Sequence, residues 1–280
     1  LVMKALDTFV GRSDILITGG SSGIGLALAR SFQSLGGRVH IAARRSDVVR
    51  SATEALNAGD RGSLHPVVGH ECDVTSAESV GALFTGMEER GATPAIVVNC
   101  AGMTVPAYFT DTTDDDFQQT MDANFNGTVR VCARCVPAMI ERGEGYIVNV
   151  GSLASIVSVF GMTAYCASKF AVRGFTESLR SEMKVHGVSV SLLCPPDTDT
   201  PMLTAERKLR PVETEALSGS VSVLSSDVVA AATLKGMRRG ARIIVPGTEG
   251  KTTALLQQYA PGVVEWVSDR IVMKARQGKT

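Results

Sequence analysis

Two groups of residues in this sequence have the types and spacing to do chemistry. In the run Tyr165-Cys166-Ala167-Ser168-Lys169, a phenol and an ammonium stand four residues apart. On a helix that spacing puts both on one face, and the cation favours the ionised phenol. A phenol that ordinarily titrates near pH 10 then comes within reach of working pH, able to give or take a proton. Many solvated helix faces carry the same spacing without any function. What sets this one apart is Ser152, thirteen residues upstream, where the apolar run Tyr146–Val150 ends.

The second group is Thr18-Gly19-Gly20-Ser21-Ser22-Gly23-Ile24-Gly25, set between a short apolar run and a helical one. Glycines there let the backbone turn sharply and approach a pyrophosphate, while the helix start offers unpaired N–H groups to its charge. A site for NAD places an acid about 20 residues further on, against the ribose 2′-hydroxyl, whereas a 2′-phosphate needs positive charge. Here His40-Ile41-Ala42-Ala43 carries no acid and runs into Arg44-Arg45. Arginine pairs with phosphate through two hydrogen bonds, so NADPH/NADP+ is the expected cofactor, with Arg44 and Arg45 at its 2′-phosphate. A third candidate, Cys132-Ala133-Arg134-Cys135, lacks the second pair or His cluster that would complete a zinc site, and it falls mid-helix. No metal is expected. Cysteines sitting mostly in apolar runs, without the spacing of a disulfide framework, read as packed, reduced thiols in a cytosolic setting.

The elements that must position these groups alternate along the chain. Runs at Asp14–Thr18, Arg38–Ala42, Pro66–Cys72, Ala95–Asn99, Tyr146–Val150, Val188–Cys194 and Arg242–Val245 read as buried parallel strands. Helical patterns begin near Gly23, Asp47, Ser76, Asp114, Thr163 and Ser226, with Asp47 and Ser76 as caps. Strand–helix–strand order with right-handed crossovers predicts an α/β Rossmann fold, a doubly wound parallel sheet of about seven strands with helices on both faces. No linker divides the chain, so residues 1–280 are expected to form one domain. A formal net charge of zero provides no field to gather nucleic acid, and no apolar run reaches the roughly 18 to 20 residues that cross a bilayer. Two segments, at about 200–225 and about 250–280, fall outside the alternation and read as a substrate lid and an amphipathic tail.

In order and spacing, these motifs resemble the short-chain dehydrogenase/reductase family over nearly everything from Asp14 to Val245. Gly19, Ser21, Ser22, Gly23, Ile24 and Gly25 lie in a run similar to its cofactor loop. Cys72-Asp73-Val74 is similar to its adenine-contacting strand end, with Asp73 the contact. Asn99-Cys100-Ala101-Gly102 stands where the family usually has N-N-A-G, a change that leaves the backbone role of Asn99, Ala101 and Gly102 intact. The resemblance implies that Tyr165 gives a proton to the substrate oxygen while the nicotinamide delivers hydride to its carbon. It also implies that Ser152 holds that oxygen, Lys169 binds the nicotinamide ribose and lowers the Tyr165 pKa, and Asn124 holds a water that returns the proton. In Cys194-Pro195-Pro196-Asp197-Thr198-Asp199-Thr200, the family has a P-G motif followed by a cofactor-contacting Thr. Pro195, Thr198 and Thr200 are therefore expected on the nicotinamide side, and Pro196 stiffens the loop.

That same run, with Pro211-Val212-Glu213-Thr214, resembles a subgroup that reduces a long-chain keto base, the 3-ketodihydrosphingosine reductases. The implied partner is a hydrophobic small-molecule ketone, with a 3-oxoacyl thioester or a steroid as alternatives. Met202, Leu203, Leu209, Val212 and Leu217 would line an apolar tunnel, with Arg207, Lys208 and Arg210 at its mouth. A catalytically silent nucleotide-binding protein on the same fold is the reading from a different class, and the complete Ser152, Tyr165 and Lys169 set argues against it. The resemblance implies a homodimer or homotetramer through the helices of Asp114–Arg142 and Thr163–His186, where Gly161, Ala164, Ala167, Ala171 and Gly174 permit close approach. The tail places Val263, Val264, Trp266, Val267, Ile271 and Val272 among charged residues. That pattern suits packing on the protein's own surface or peripheral contact with a membrane.

Overall fold

The central apolar runs fold as strands because each is buried on both faces, whereas the edge strand at Val68–Glu71 is only partly covered. Ile15, Leu16 and Ile17, Ile96 to Val98, and Ile147 with Val148 are completely out of solvent. The computed structural model describes residues 2–59, 65–219 and 221–278. Ser220 of the lid segment and the last two residues of the tail lie outside that range. Strands β1 (Asp14–Thr18), β2 (Arg38–Ala43), β3 (Val68–Glu71), β4 (Pro94–Asn99), β5 (Gly145–Val150) and β6 (Val188–Leu193) pair in parallel. A short parallel pair forms apart from them, β7 (Thr198–Asp199) with β8 (Leu224–Ser225), and β9 (Ile243–Ile244) joins β6. The seven-stranded order is β3-β2-β1-β4-β5-β6-β9. It reverses between β1 and β4, so the loops leaving those strands splay apart and open a crevice.

On one face the helices α1 (Val2–Gly11), α2 (Gly23–Ser34), α3 (Ser46–Gly59) and α10 (Ser226–Arg238) bury Val10, Phe32, Leu56 and Val229 in one cluster with Ile15, Ile17 and Val98. On the other, α4 (Ala77–Glu88), α6 (Gly127–Arg142) and α7 (Thr163–Met183) bury Leu83, Val131 and Met183 with Leu16, Val97 and Ile147. Ser76 caps α4 by accepting from Ser79 N–H, as its position predicts. Asp47 does not cap α3. The helix starts at Ser46, and Asp47 lies in its first turn, where its charge still suits the positive helix end. Between α5 (Asp114–Met121) and α6, residues Asp122–Asn126 form a π-helical turn.

The remaining elements cover the crevice: α8 (Pro201–Glu206), α9 (Val212–Ser218), α11 (Thr248–Tyr259) and α12 (Pro261–Gln277). The tail is thus two helices, divided where Pro261 opens the second. Helix α12 packs on α9. Arg276 Nε donates to Glu213 Oε1 at 2.9 Å, and its guanidinium lies 5.6 Å from the centre of the Phe160 ring. No helix of the described residues is long and apolar enough to cross a membrane. Of the small residues expected at a subunit contact, Ala164 is buried within the protein. Gly161, at φ +70°, has no room for a side chain beside Thr214 and Pro211. Ala167 and Gly174 remain outside on α7, next to half-exposed Phe170.

Candidate active site

The sheet carries the residues picked out from the sequence to one end of the crevice. Gly19 takes φ +66°, and a side chain there would press on the Ala101 backbone at 2.8 Å. At Gly25 an added carbon would sit 2.3 Å from the Gly19 carbonyl oxygen, so the helix can start this close to the strand only with glycine. The Thr18 hydroxyl accepts from Cys100 and Ala101 N–H, both at 3.2 Å, which ties the glycine turn to the loop after β4.

Ser152 follows β5 and caps a short turn, its Oγ accepting from Ala154 N–H at 3.1 Å. Tyr165 and Lys169 lie one turn apart on α7, the Lys169 Nζ 5.6 Å from the centre of the Tyr165 ring. Nζ also donates to the Val150 carbonyl at 2.9 Å, anchoring the helix to the end of β5. Burial lowers the Lys169 pKa to about 8. Burial also pushes the Tyr165 phenol well up. A hydrogen bond with Ser152 offsets part of that rise, and the negative charges of Glu206 and Asp197 add to it. Burial thus outweighs the lowering contact and favours a Tyr165 that keeps its proton. Asn124 lies in the π-turn with its side chain engaged. Oδ1 accepts from Met103 N–H at 2.7 Å, and Nδ2 donates to the Met103 carbonyl and the Ser168 hydroxyl, each at 2.9 Å. Ser168 donates in turn to the Tyr165 carbonyl at 2.7 Å, so the π-turn braces the helix that carries the phenol.

Ser152, Tyr165 and Lys169 open on one cavity of about 410 Å³, with Asn124 outside its lining. Gly19, Ser22, Gly23, Ile24, Ala101, Gly102, Pro195, Thr198 and Thr200 line it with Ser152, Tyr165 and Lys169. The other expected cofactor residues stand outside that lining. Gly25 is packed against the turn. The Asn99 side chain is in the core, donating to Asn149 Oδ1 at 2.8 Å. Asp73 accepts from the Thr75 N–H and hydroxyl, and Val74 is buried against Gly127. Ser21 lies in the turn itself, while Arg44 and Arg45 lie just beyond β2 and make no ion pair among the described residues. Two free arginines there, with the glycine turn and the Gly102 approach, are the groups a phosphorylated dinucleotide would need.

The outer wall departs from expectation. Met202, Leu203 and Leu217 line the cavity, but Leu209 is 63% exposed and Val212 is not in the lining. Arg210 is no mouth residue: its side chain is 1% exposed and faces Asp197, Glu206 and Glu215. A charge between Leu209 and Pro211 reads as solvated from sequence. The signal against that was Glu206 four residues before it, the spacing of a helical ion pair. Sequence reasoning also missed that the tail completes the cavity, with Leu256, Val263, Val264, Val267 and Ile271 in its wall. Cys132 is buried with its thiol pushed up to about 12, and burial pushes Cys135 well up too, which makes both poor nucleophiles.

A family profile described as short chain dehydrogenase matches residues 13–210. A 3-ketodihydrosphingosine reductase of Dictyostelium discoideum is 33% identical over 265 residues, covering 89% of this chain and 78% of its own. A short-chain dehydrogenase from Sphingobium yanoikuyae, solved with NADPH, superposes with a TM-score of 0.75 at 25% identity, over 90% of this chain and 95% of that one. A short-chain dehydrogenase/reductase from Burkholderia phymatum, solved with NAD, gives 0.78 at 25% identity, over 90% and 94%.

Proposed function

The chain belongs to the short-chain dehydrogenase/reductase family and is an oxidoreductase, and from that premise we propose that it reduces a long-chain ketone of the 3-ketodihydrosphingosine class to its alcohol, using NADPH. The observation that carries this reading is the cavity itself. Its inner end gathers the glycine turn with Ser152, Tyr165 and Lys169, and its outer end is walled by aliphatic side chains of α8, α9 and α12. A wall of that kind suits an apolar chain. The name shared by the relatives points to the same substrate class.

The bound dinucleotide supplies the hydride. Tyr165, held protonated by burial, donates its proton to the carbonyl oxygen as charge develops there. Ser152 fixes that oxygen with a hydrogen bond. Lys169, anchored to Val150, presents a positive charge beside the phenol that stabilises the phenolate left behind. Asn124 secures the loop at Met103 and the helix at Ser168. Both side-chain donors are taken, so a returning water would have to donate, either to the second lone pair of Oδ1 or to the backbone carbonyl that also accepts from Thr128. Residues 1–280 act as one domain in this reading, with 200–225 and the tail as its cover. Purified protein with NADPH should consume it with a long-chain 3-keto base and far more slowly with short or steroid ketones. Equal rates across that panel, or a preference for NADH, would remove the reading.

The tail also leaves Leu255, Tyr259, Trp266 and Met273 more than half exposed, which supports peripheral membrane contact beside the cavity mouth. Vesicle flotation of the chain with and without residues after 248 tests that contact, which is wrong if both float alike.

A further inference from the structure

The cavity carries charge that a plain lipid ketone does not require. Asp197, Glu206 and Arg210 stand in the same lining as Ser152 and Tyr165. Arg210 is shared three ways. Its Nη1 donates to Asp197 Oδ2 at 2.8 Å and to Glu215 Oε2 at 3.3 Å, and its Nη2 donates to Asp197 Oδ1 at 3.1 Å and to Glu206 Oε1. Arg207, 3.7 Å from Glu215, is the other cation in reach; it pairs with Glu215, and its charge also acts on Glu206. Asp197 and Glu206 thus make their close ion pairs with one cation between them. Glu206 is 9% exposed, and its Oε2 accepts no hydrogen bond among the described residues. That oxygen is not shut away from solvent, so it is open to a donor that enters the cavity. The cluster borders a cavity whose lining also holds aliphatic side chains of α12.

Resting on the reading of the site as a long-chain ketone reductase, we propose that Glu206, seconded by Asp197, selects ketones that carry a protonated amine beside the carbonyl. The ammonium donates to Glu206 Oε2, the carbonyl oxygen meets Ser152 and Tyr165, and the chain runs out between α8 and α12. The bound cation also offsets the upward push of the two carboxylates on the Tyr165 phenol, so binding itself readies the proton donor.

The test compares kcat/KM, with NADPH, for a long-chain 2-amino-3-ketone, its N-acetyl derivative and its deamino analogue. The native protein should favour the free amine by about ten- to a hundredfold, the range of one charge-assisted hydrogen bond. Glu206→Gln keeps an acceptor for Arg210 and should shrink that ratio at least tenfold, chiefly through KM. Asp197→Asn should shrink it less. A ratio near one in the native protein overturns the proposal, as does an undiminished ratio in Glu206→Gln. Should that variant not fold, Asp197→Asn and the native comparison decide. Turnover of the neutral chain as well as the amine removes only the amine selection, whereas turnover of neither removes the reductase reading with it.

Discussion

At Gly25 one added carbon would meet a backbone oxygen at 2.3 Å, while across the same cavity Met202 is 41% exposed. The cofactor side is made of backbone: strand ends, glycines and N–H groups that a buried sheet holds in place. The substrate side is made of side chains on short helices, held by ion pairs at Arg210 and Arg276 rather than by a core. The first arrangement admits almost no substitution, and the second can be rebuilt residue by residue. A family that keeps one cofactor chemistry and changes substrates would vary the second and leave the first.

The contrast breaks most visibly where the two sides meet. Tyr165→Phe should lower kcat about a thousandfold, because only the proton is lost, while NADPH affinity by fluorescence titration stays within about twofold. In the native protein kcat/KM for reduction should fall as pH rises past about 8, where Lys169 gives up its charge. Arg210→Met removes a cation shared by three acids, two of them largely buried. It should cost about 3 kcal/mol of unfolding free energy, the low end for a broken buried pair because Asp197 and Glu215 keep some water. KM for the ketone should rise with NADPH affinity unchanged, and a matching loss of cofactor affinity would show that the two sides are not separable.

Arg44→Ala sharpens the comparison from the cofactor side, raising the NADPH dissociation constant about tenfold and leaving that of NADH alone. Equal losses for both would make Arg44 structural. The smallest effect belongs to Arg276→Ala, which frees α12 from α9 and should raise KM for long chains about two- to threefold, with short-chain turnover unchanged. Burial raises the Glu213 carboxyl, but hydrogen bonds from backbone, Arg276 and Tyr108 outweigh it and hold it below the ordinary glutamate range. With its folded pKa depressed, this contact holds above that range and is lost as pH falls through it. A native KM that already doubles between pH 7 and pH 6 would rule the latch out.

What could be foreseen from sequence divides along the same line. The sheet strands were readable to within a residue or two at most ends, because runs such as Ile15-Leu16-Ile17 have no stable place except between two layers of helices. The glycine turn and Tyr165 with Lys169 were readable because their chemistry depends on local spacing. Arg210 was not, since its burial depends on Asp197, thirteen residues away, and on the turn of chain that brings them together. The part played by α12 was hidden for the same reason: Val263 and Ile271 look like any amphipathic helix until something is known to lie opposite. Asp47 failed more simply, since Ser46 beside it is an equally good helix start.

The π-turn at Asp122–Asn126 can be read as arithmetic on the gene. An α-helix advances about 100° per residue, and a π-turn holds one residue more than that geometry needs. Deleting a single codon there, Ala123 for instance, would let α5 and α6 run on as one regular helix, a change that local backbone energetics would welcome. It would also swing the residues before the deletion by about 100° relative to those after it, carrying Asn124's position away from Met103 and Ser168. The helix tolerates its surplus residue because the loop and the catalytic helix are both indexed to it. In-frame loss of one codon at this point should therefore be as damaging as loss of the asparagine itself.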